Sequence, residues 1–229
     1  MKKLAYILLL LCCTPKVFAI ESLITHYAKK YGVDPLLLKT ISMRESSLSP
    51  WAMNFDGEGY LFKSKKQALD AYHRVVDHPW LFKYRIDKKN YHRRYFKTRA
   101  QLTQYYNNLN TLRSKWLSKT IPIQMKAKRD TRLSIGEALI RKINTLNTGI
   151  GAMQMNYRYH RDKETSVARW LDPDFNISQG AKLFRSLIDK YKDPFVAVAH
   201  YHSNTKKYQG IYMVRFYSLL ESQLKRKNS

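Results

Sequence analysis

The chain has 229 residues, 42 of them Lys or Arg against 17 Asp or Glu, for a formal net charge of +25. Its two cysteines, 8 glycines and 7 prolines exclude a disulfide scaffold, a low-complexity chain and a turn-rich all-β fold. The length suits one domain, or one domain with a large insertion, and so basic a balance calls for an anionic partner.

The amino end reads Met1-Lys2-Lys3, then an apolar run from Leu4 to Cys13, then Thr14-Pro15-Lys16-Val17-Phe18-Ala19. A positive start, an apolar stretch too short to span a membrane comfortably and a Val-x-Ala end predict a secretory signal peptide over 1–19. Cleavage after Ala19 removes Cys12 and Cys13. Neither follows a small residue, as a lipoprotein signal requires. The expected mature chain is exported, to the periplasm or beyond, without cysteine or a transmembrane helix.

Glu21–Tyr31 reads as a first helix, with Leu23, Ile24, Tyr27 and Tyr31 on one face and Gly32 as its stop. Asp34 then caps a second helix that has Pro35 at its first position. Leu37, Leu38, Ile41 and Glu45 share one face of it, and Pro50 is the expected stop. A carboxyl at the end of an apolar stripe has its pKa raised by burial, as a general acid working near neutral pH needs. The same spacing also fits a glutamate at the stripe's edge that faces water or pairs with Arg44.

After Trp51, Asp56-Gly57 and Gly59 mark a tight turn that presents Asp56 and Glu58 to solvent. Ser64 and Gln67 form a capping box before a helix with Ala68, Leu69, Tyr72, Val75 and Val76 on its apolar face. From His78 to Lys142, 17 basic residues stand against 3 acidic ones, interleaved with Trp80, Phe82, Tyr84, Tyr91, Tyr95, Phe96, Tyr105, Tyr106 and Trp116. Thr98 caps a helix carrying Leu102, Tyr105, Tyr106, Leu109, Leu112 and Trp116. Ser134 and Glu137 form a second capping box before a helix with Ala138, Leu139, Ile140, Ile143 and Leu146. Lys119–Arg132 reads as a loop, and nothing reads as a long alternating strand. Basic residues among aromatics are also the composition of a nucleic-acid surface. In an exported chain the expected partner is instead an anionic polymer or surface.

The glycines of Asn147-Thr148-Gly149-Ile150-Gly151-Ala152-Met153-Gln154-Met155-Asn156 give a turn, followed by a methionine that spacing alone would bury. Asp172-Pro173 opens a helix with Ile177, Ala181, Phe184, Leu187, Ile188 and Tyr191 on one face. Pro194–Ser203 comes next. A final helix, Ile211–Leu224, ends in a basic tail. His160, His200 and His202 lack the spacing of a zinc site, so no metal is expected.

The run from Gly32-Val33-Asp34-Pro35 to Arg44-Glu45-Ser46-Ser47-Leu48-Ser49-Pro50 resembles the catalytic start of the soluble lytic transglycosylases, lysozyme-like enzymes of glycoside hydrolase family 23. Gly151-Ala152-Met153-Gln154 is similar to their second motif, with Ala152 for Leu. Ala199-His200-Tyr201-His202 is similar to the third, with His202 for Asn. Asn54-Phe55-Asp56-Gly57-Glu58-Gly59-Tyr60, Asn156-Tyr157-Arg158-Tyr159-His160 and Tyr201-His202-Ser203 resemble a subgroup linked to conjugation and type IV secretion.

The resemblance implies an all-α lysozyme-like fold. Its catalytic domain would comprise residues 20–77 and 143–229, interrupted by a helical basic insertion over 78–142. Glu45 would be the sole catalytic carboxylate. Ser46, Asn54, Met153, Gln154, Asn156, Tyr201 and His202 would bind substrate, with Asn54 orienting Glu45 or an acetamido group and the Tyr201 hydroxyl directed at the carboxyl or the sugar. His160 fits a substrate contact or a structural hydrogen bond. The implied reaction cuts peptidoglycan strands without a cofactor or metal. Three other readings stay open: a hydrolytic muramidase, a scaffold docking to secretion or conjugation machinery through residues 78–142, and nucleic-acid binding.

Overall fold

The computed structural model describes residues 14–85, 87, 91–116, 124, 125, 133–161 and 165–227. In chain order the elements are α1 (Thr14–Tyr31), α2 (Pro35–Ser46), β1 (Ala52–Phe55), β2 (Glu58–Leu61), α3 (Lys65–Asp77), β3 (Trp80–Arg85), β4 (Tyr91–Phe96), α4 (Arg99–Trp116), β5 (Gln124–Met125), β6 (Glu137–Lys142), β7 (Thr148–Ile150), β8 (Met155–Asn156), α5 (Tyr157–His160), α6 (Val167–Trp170), α7 (Pro173–Tyr191), α8 (Pro194–His202) and α9 (Lys206–Lys227). The protein is therefore mixed α/β with two sheets, which overturns the all-α expectation. Among the described residues no helix is long and apolar enough to cross a membrane.

The chain divides into two compact units. The first holds residues 1–54, 59–68 and 149–229, and the second holds 55–58 and 69–148. In the first unit α1 packs on α2 and α7, and α9 packs on α2 and α8. Ile24, Leu38, Ile41, Phe184 and Phe216 are fully buried in its core. Burying a side chain of that size contributes about 1.5–3 kcal/mol each. Polar ties add register: the Tyr27 hydroxyl donates to Asp174 at 2.7 Å, and Gln223 Nε2 donates to Thr40 Oγ1 at 2.6 Å.

Helix starts obey the local code. Asp34, Asp172 and Asp193 each cap a helix that has proline in its first turn. Two boundaries differ from expectation. The first helix begins at Thr14 rather than Glu21, so it runs through Ala19; residues 1–13, with the apolar run and both cysteines, lie outside the described residues. The second helix ends at Ser46, not at Pro50. Ser47 and Leu48 both take left-handed backbone, and their N–H groups reach back to the carbonyls of Met43 and Ser42.

In the second unit β4, β3 and β6 form an antiparallel sheet, with the two residues of β5 pairing parallel to β6. Phe82, Leu102 and Ala138 form its core, flanked by Trp80, Tyr84, Phe96, Tyr105, Tyr106, Leu109 and Ile140. The expected helix over Ser134–Leu146 is instead β6: Ala138, Leu139 and Ile140 pair with Tyr84, Lys83 and Phe82. The Glu137 carboxylate does accept the Ser134 N–H at 2.6 Å, but strand pairing decides the conformation of the residues after it. A short apolar run does not separate helix from buried strand. β3 escaped notice for a related reason: it lies between two strands, and consecutive Leu81, Phe82 and Lys83 are all buried, which erases the period of two. The Thr98 helix forms as expected, its box closed both ways with Gln101. Lys119–Arg132 lies outside the described residues except for Gln124 and Met125.

Asp56 and Gly57 both have positive φ, the backbone of a type I′ hairpin turn. The turn is not the solvent-facing feature the sequence suggests. Asp56 pairs with Arg141 Nη1 at 2.6 Å and accepts from the Asn144 N–H and Asn147 Nδ2. Glu58 is fully buried among Lys83 Nζ (2.9 Å), Arg93 Nε (2.8 Å) and Arg141 Nη2 (3.4 Å). A buried carboxylate needs such partners, and the basic residues that supply them are spread over three strands.

Candidate active site

The site belongs to the first unit and begins at the C-terminal end of α2. Leu37, Leu38 and Ile41 are buried there, and Glu45, one turn further, keeps only 14% of its side chain exposed. Its Oε1 lies 3.3 Å from His202 Nδ1 at the end of α8. His202 stacks on Tyr212 of α9, with centroids 4.2 Å apart and planes within 13°. Tyr212 is buried, with the Arg44 guanidinium 5.2 Å from its ring centroid. Among the described residues its hydroxyl makes no well-formed hydrogen bond, yet it lies near enough to the Glu45 carboxylate to interact with it by charge and by a weak hydrogen bond. Burial first, and then the Glu45 charge, push the Tyr212 and Tyr201 phenols well above their ordinary range, so both keep their protons.

The glycine turn is locked onto the same helix. Ser42 and Ser46, one turn apart on α2, both direct their hydroxyls to the Ala152 carbonyl, at 3.1 and 2.8 Å. Ser46 is therefore buried, with its hydroxyl engaged by the backbone of the turn. Met153 is fully buried too, and packs so tightly on α7 that a Cβ at Gly180 would lie 2.6 Å from its Cγ. The Tyr201 hydroxyl donates to the Met153 carbonyl at 2.9 Å rather than to Glu45. Gln154 sits at φ 48° and folds its amide back, Nε2 donating to the Gly151 carbonyl at 3.0 Å. Its Oε1 occupies the space that a Cβ on Gly149 would need, and the Asn54 Cβ lies 3.5 Å from the same position. Asn156 caps α5 by accepting the Arg158 N–H. His160 packs beside Trp170, and burial pushes its imidazole below the ordinary value.

Of the eight site residues expected from the sequence, the fold thus brings Glu45 and His202 together with Tyr201 near by. It assigns Ser46 and Met153 to the frame around them. Two contributors have no role that the sequence alone suggests. Tyr212 announces itself only through a phenol on the buried face of α9, which must find polar company. Asn176 is fully buried in α7. Its Oδ1 accepts the Met153 N–H at 2.9 Å, and its Nδ2 donates to the carbonyls of Ile150 (2.9 Å) and Trp170 (3.0 Å). A Cβ on Gly151, at φ 77°, would fall 2.5 Å from that amide. Asn176→Ala is expected to leave three buried groups unpaired and to cost about 3–5 kcal/mol in urea unfolding. A loss below about 1 kcal/mol would mean that the turn holds itself.

The lowered His160 pKa makes stability depend on pH. This group leaves folding unaffected at pH above its unfolded value, and penalises it progressively as pH falls from there through the folded one. The melting temperature of the wild type is expected to drop between about pH 7.5 and 5.5, a window around the ordinary imidazole value, and to drop less in His160→Asn.

Among the described residues no cluster of three or more His, Cys, Asp or Glu could hold a metal. No protein-family model, no curated protein and no solved structure matches the chain.

Proposed function

We propose that the protein is an exported peptidoglycan lytic transglycosylase with Glu45 as its single catalytic carboxylate. One observation carries the reading. In the first unit, every other described acid is committed elsewhere. Asp34, Asp172 and Asp193 cap helices, and Asp174 accepts from Tyr27. Glu21, Asp189 and Glu221 pair with Lys39, Arg185 and Lys225. Glu45 alone is largely buried without a permanent cation as its partner, held by an imidazole and close to two phenols.

Most glycosidases need two carboxylates at a set separation. A lone acid fits a reaction in which the substrate supplies the second group. Glu45 protonates the oxygen between N-acetylmuramic acid and N-acetylglucosamine, and the acetamido oxygen stabilises the positive anomeric carbon. Glu45, now a base, takes the proton of the muramic O6 hydroxyl, which closes a 1,6-anhydro ring. Neither metal nor cofactor enters these steps. The order and spacing of the three motifs support this chemistry, as does the way the second motif is pinned to the helix bearing Glu45.

The amino-terminal pattern supports a periplasmic or exported location. The 17 basic residues between His78 and Lys142 support docking to an anionic surface or to components of a secretion or conjugation machine. Purified protein is expected to release soluble muropeptides from peptidoglycan sacculi. Binding to sacculi with no release would instead favour a scaffold.

A further inference from the structure

The Glu45–His202 contact carries an inference that rests on reading Glu45 as the acid. Stacking on Tyr212 fixes the imidazole plane, and the hydrogen bond fixes which nitrogen meets the carboxyl: Nδ1, 3.3 Å from Oε1. The other ionisable groups around the pair are Arg44 on α2, Tyr201 on α8 and Tyr212 on α9. His200, also on α8, turns instead to Asn204 and Tyr191. The arginine keeps its charge and the phenols keep their protons, so a change of charge in this cluster falls on Glu45 and His202.

A pair holding one proton has two forms: imidazolium with carboxylate, or neutral imidazole with carboxylic acid. Water favours the ionic form, because it solvates both charges. A sugar that covers the pair removes that water and favours the neutral one. We propose that His202 is a positioning residue that stores the proton for Glu45 and hands it over when substrate covers the site. In the transfer the Nδ1–H bond breaks and an Oε1–H bond forms. Both charges vanish, and no proton is drawn from solution. The carboxylic acid is then loaded at a pH where an isolated carboxyl would be ionised.

The test is the pH profile of kcat/KM for wild type, His202→Asn and Glu45→Gln on the same peptidoglycan. Activity of the wild type should persist on the alkaline side until the pair loses its one proton. In His202→Asn that limb should move to lower pH, because the carboxyl then has no neighbour to store its proton. An unmoved limb, or one displaced to higher pH because a competing cation has gone, would overturn the proposal while Glu45→Gln stays inactive. Activity in Glu45→Gln would sink the underlying reading instead. A second readout needs no turnover. Binding of an N-acetylglucosamine oligomer at about pH 5.5, between the ordinary carboxyl and imidazole values, should take up close to no protons in the wild type when measured by calorimetry in buffers of different ionisation enthalpy. It should take up a substantial fraction of one in His202→Asn. Equal uptake in the two proteins would refute the store.

Discussion

Glu45→Gln is expected to reduce release of muropeptides by about 10³-fold or more while leaving the fold as it is. General acid catalysis by one positioned group is worth about 10²–10⁴ in rate, and here the same carboxyl must also act as the base that closes the ring. Glutamine keeps the shape and can still hydrogen-bond His202, but it carries no proton to give. The stability cost should be small, because Glu45 is held by His202, itself more than a third exposed, and by no permanent cation. The melting temperature is therefore expected to stay within about 2 °C of wild type, less than the shift that 1 kcal/mol brings, and binding to sacculi to survive. Wild-type release by this variant would remove Glu45 from the reaction. Loss of release together with unfolding would make it structural.

Glu58→Ala should do the reverse, costing about 3–5 kcal/mol in the second unit. Glu58 is fully buried, and its carboxylate faces Lys83, Arg93 and Arg141. Lys83 and Arg141 are themselves almost wholly buried. Removing the acid leaves the Lys83 charge without a carboxylate and Arg141 with Asp56 alone, in a place water does not reach, and that penalty is far larger than the worth of the pair at a surface. Glu221→Ala provides the contrast. It breaks an ion pair of similar length with Lys225, but both side chains are mostly in water, and no measurable change is expected. Hydrogen exchange read at the amides of β3 and β6 reports the second unit directly. Equal protection in Glu58→Ala and wild type would show that the cluster does not hold the sheet.

Whatever is encoded locally could be read from the sequence. Asp34-Pro35 and Asp172-Pro173 fixed helix starts because one side chain and one ring suffice. The Thr98 cap likewise needs only its own side chain and the next turn of backbone. The register of Glu45 on the stripe of Leu37 and Ile41 comes from helix geometry. Legibility failed where a partner distant in sequence decides. Ala138–Ile140 has the same composition whether it forms a helix or the strand beside β3, and only Phe82 and Tyr84 across the ladder choose between them. Glu58 looked exposed because its turn is hydrophilic, yet its three cations come from residues 83, 93 and 141. The contacts of Ser46 and Met153 in the fold, the Ala152 carbonyl and Gly180, lie more than twenty residues away in the chain, so the motifs alone do not show them.

The measurement that tests the central claim most directly is mass spectrometry of peptidoglycan digested by the wild-type protein, beside a digest by Glu45→Gln. Muropeptides ending in 1,6-anhydro-muramic acid are expected from the wild type alone, since an acid without a carboxylate partner leaves ring closure to the sugar's own hydroxyl. Fragments with reducing ends would contradict the claim, for they require an activated water and make the enzyme a hydrolytic muramidase.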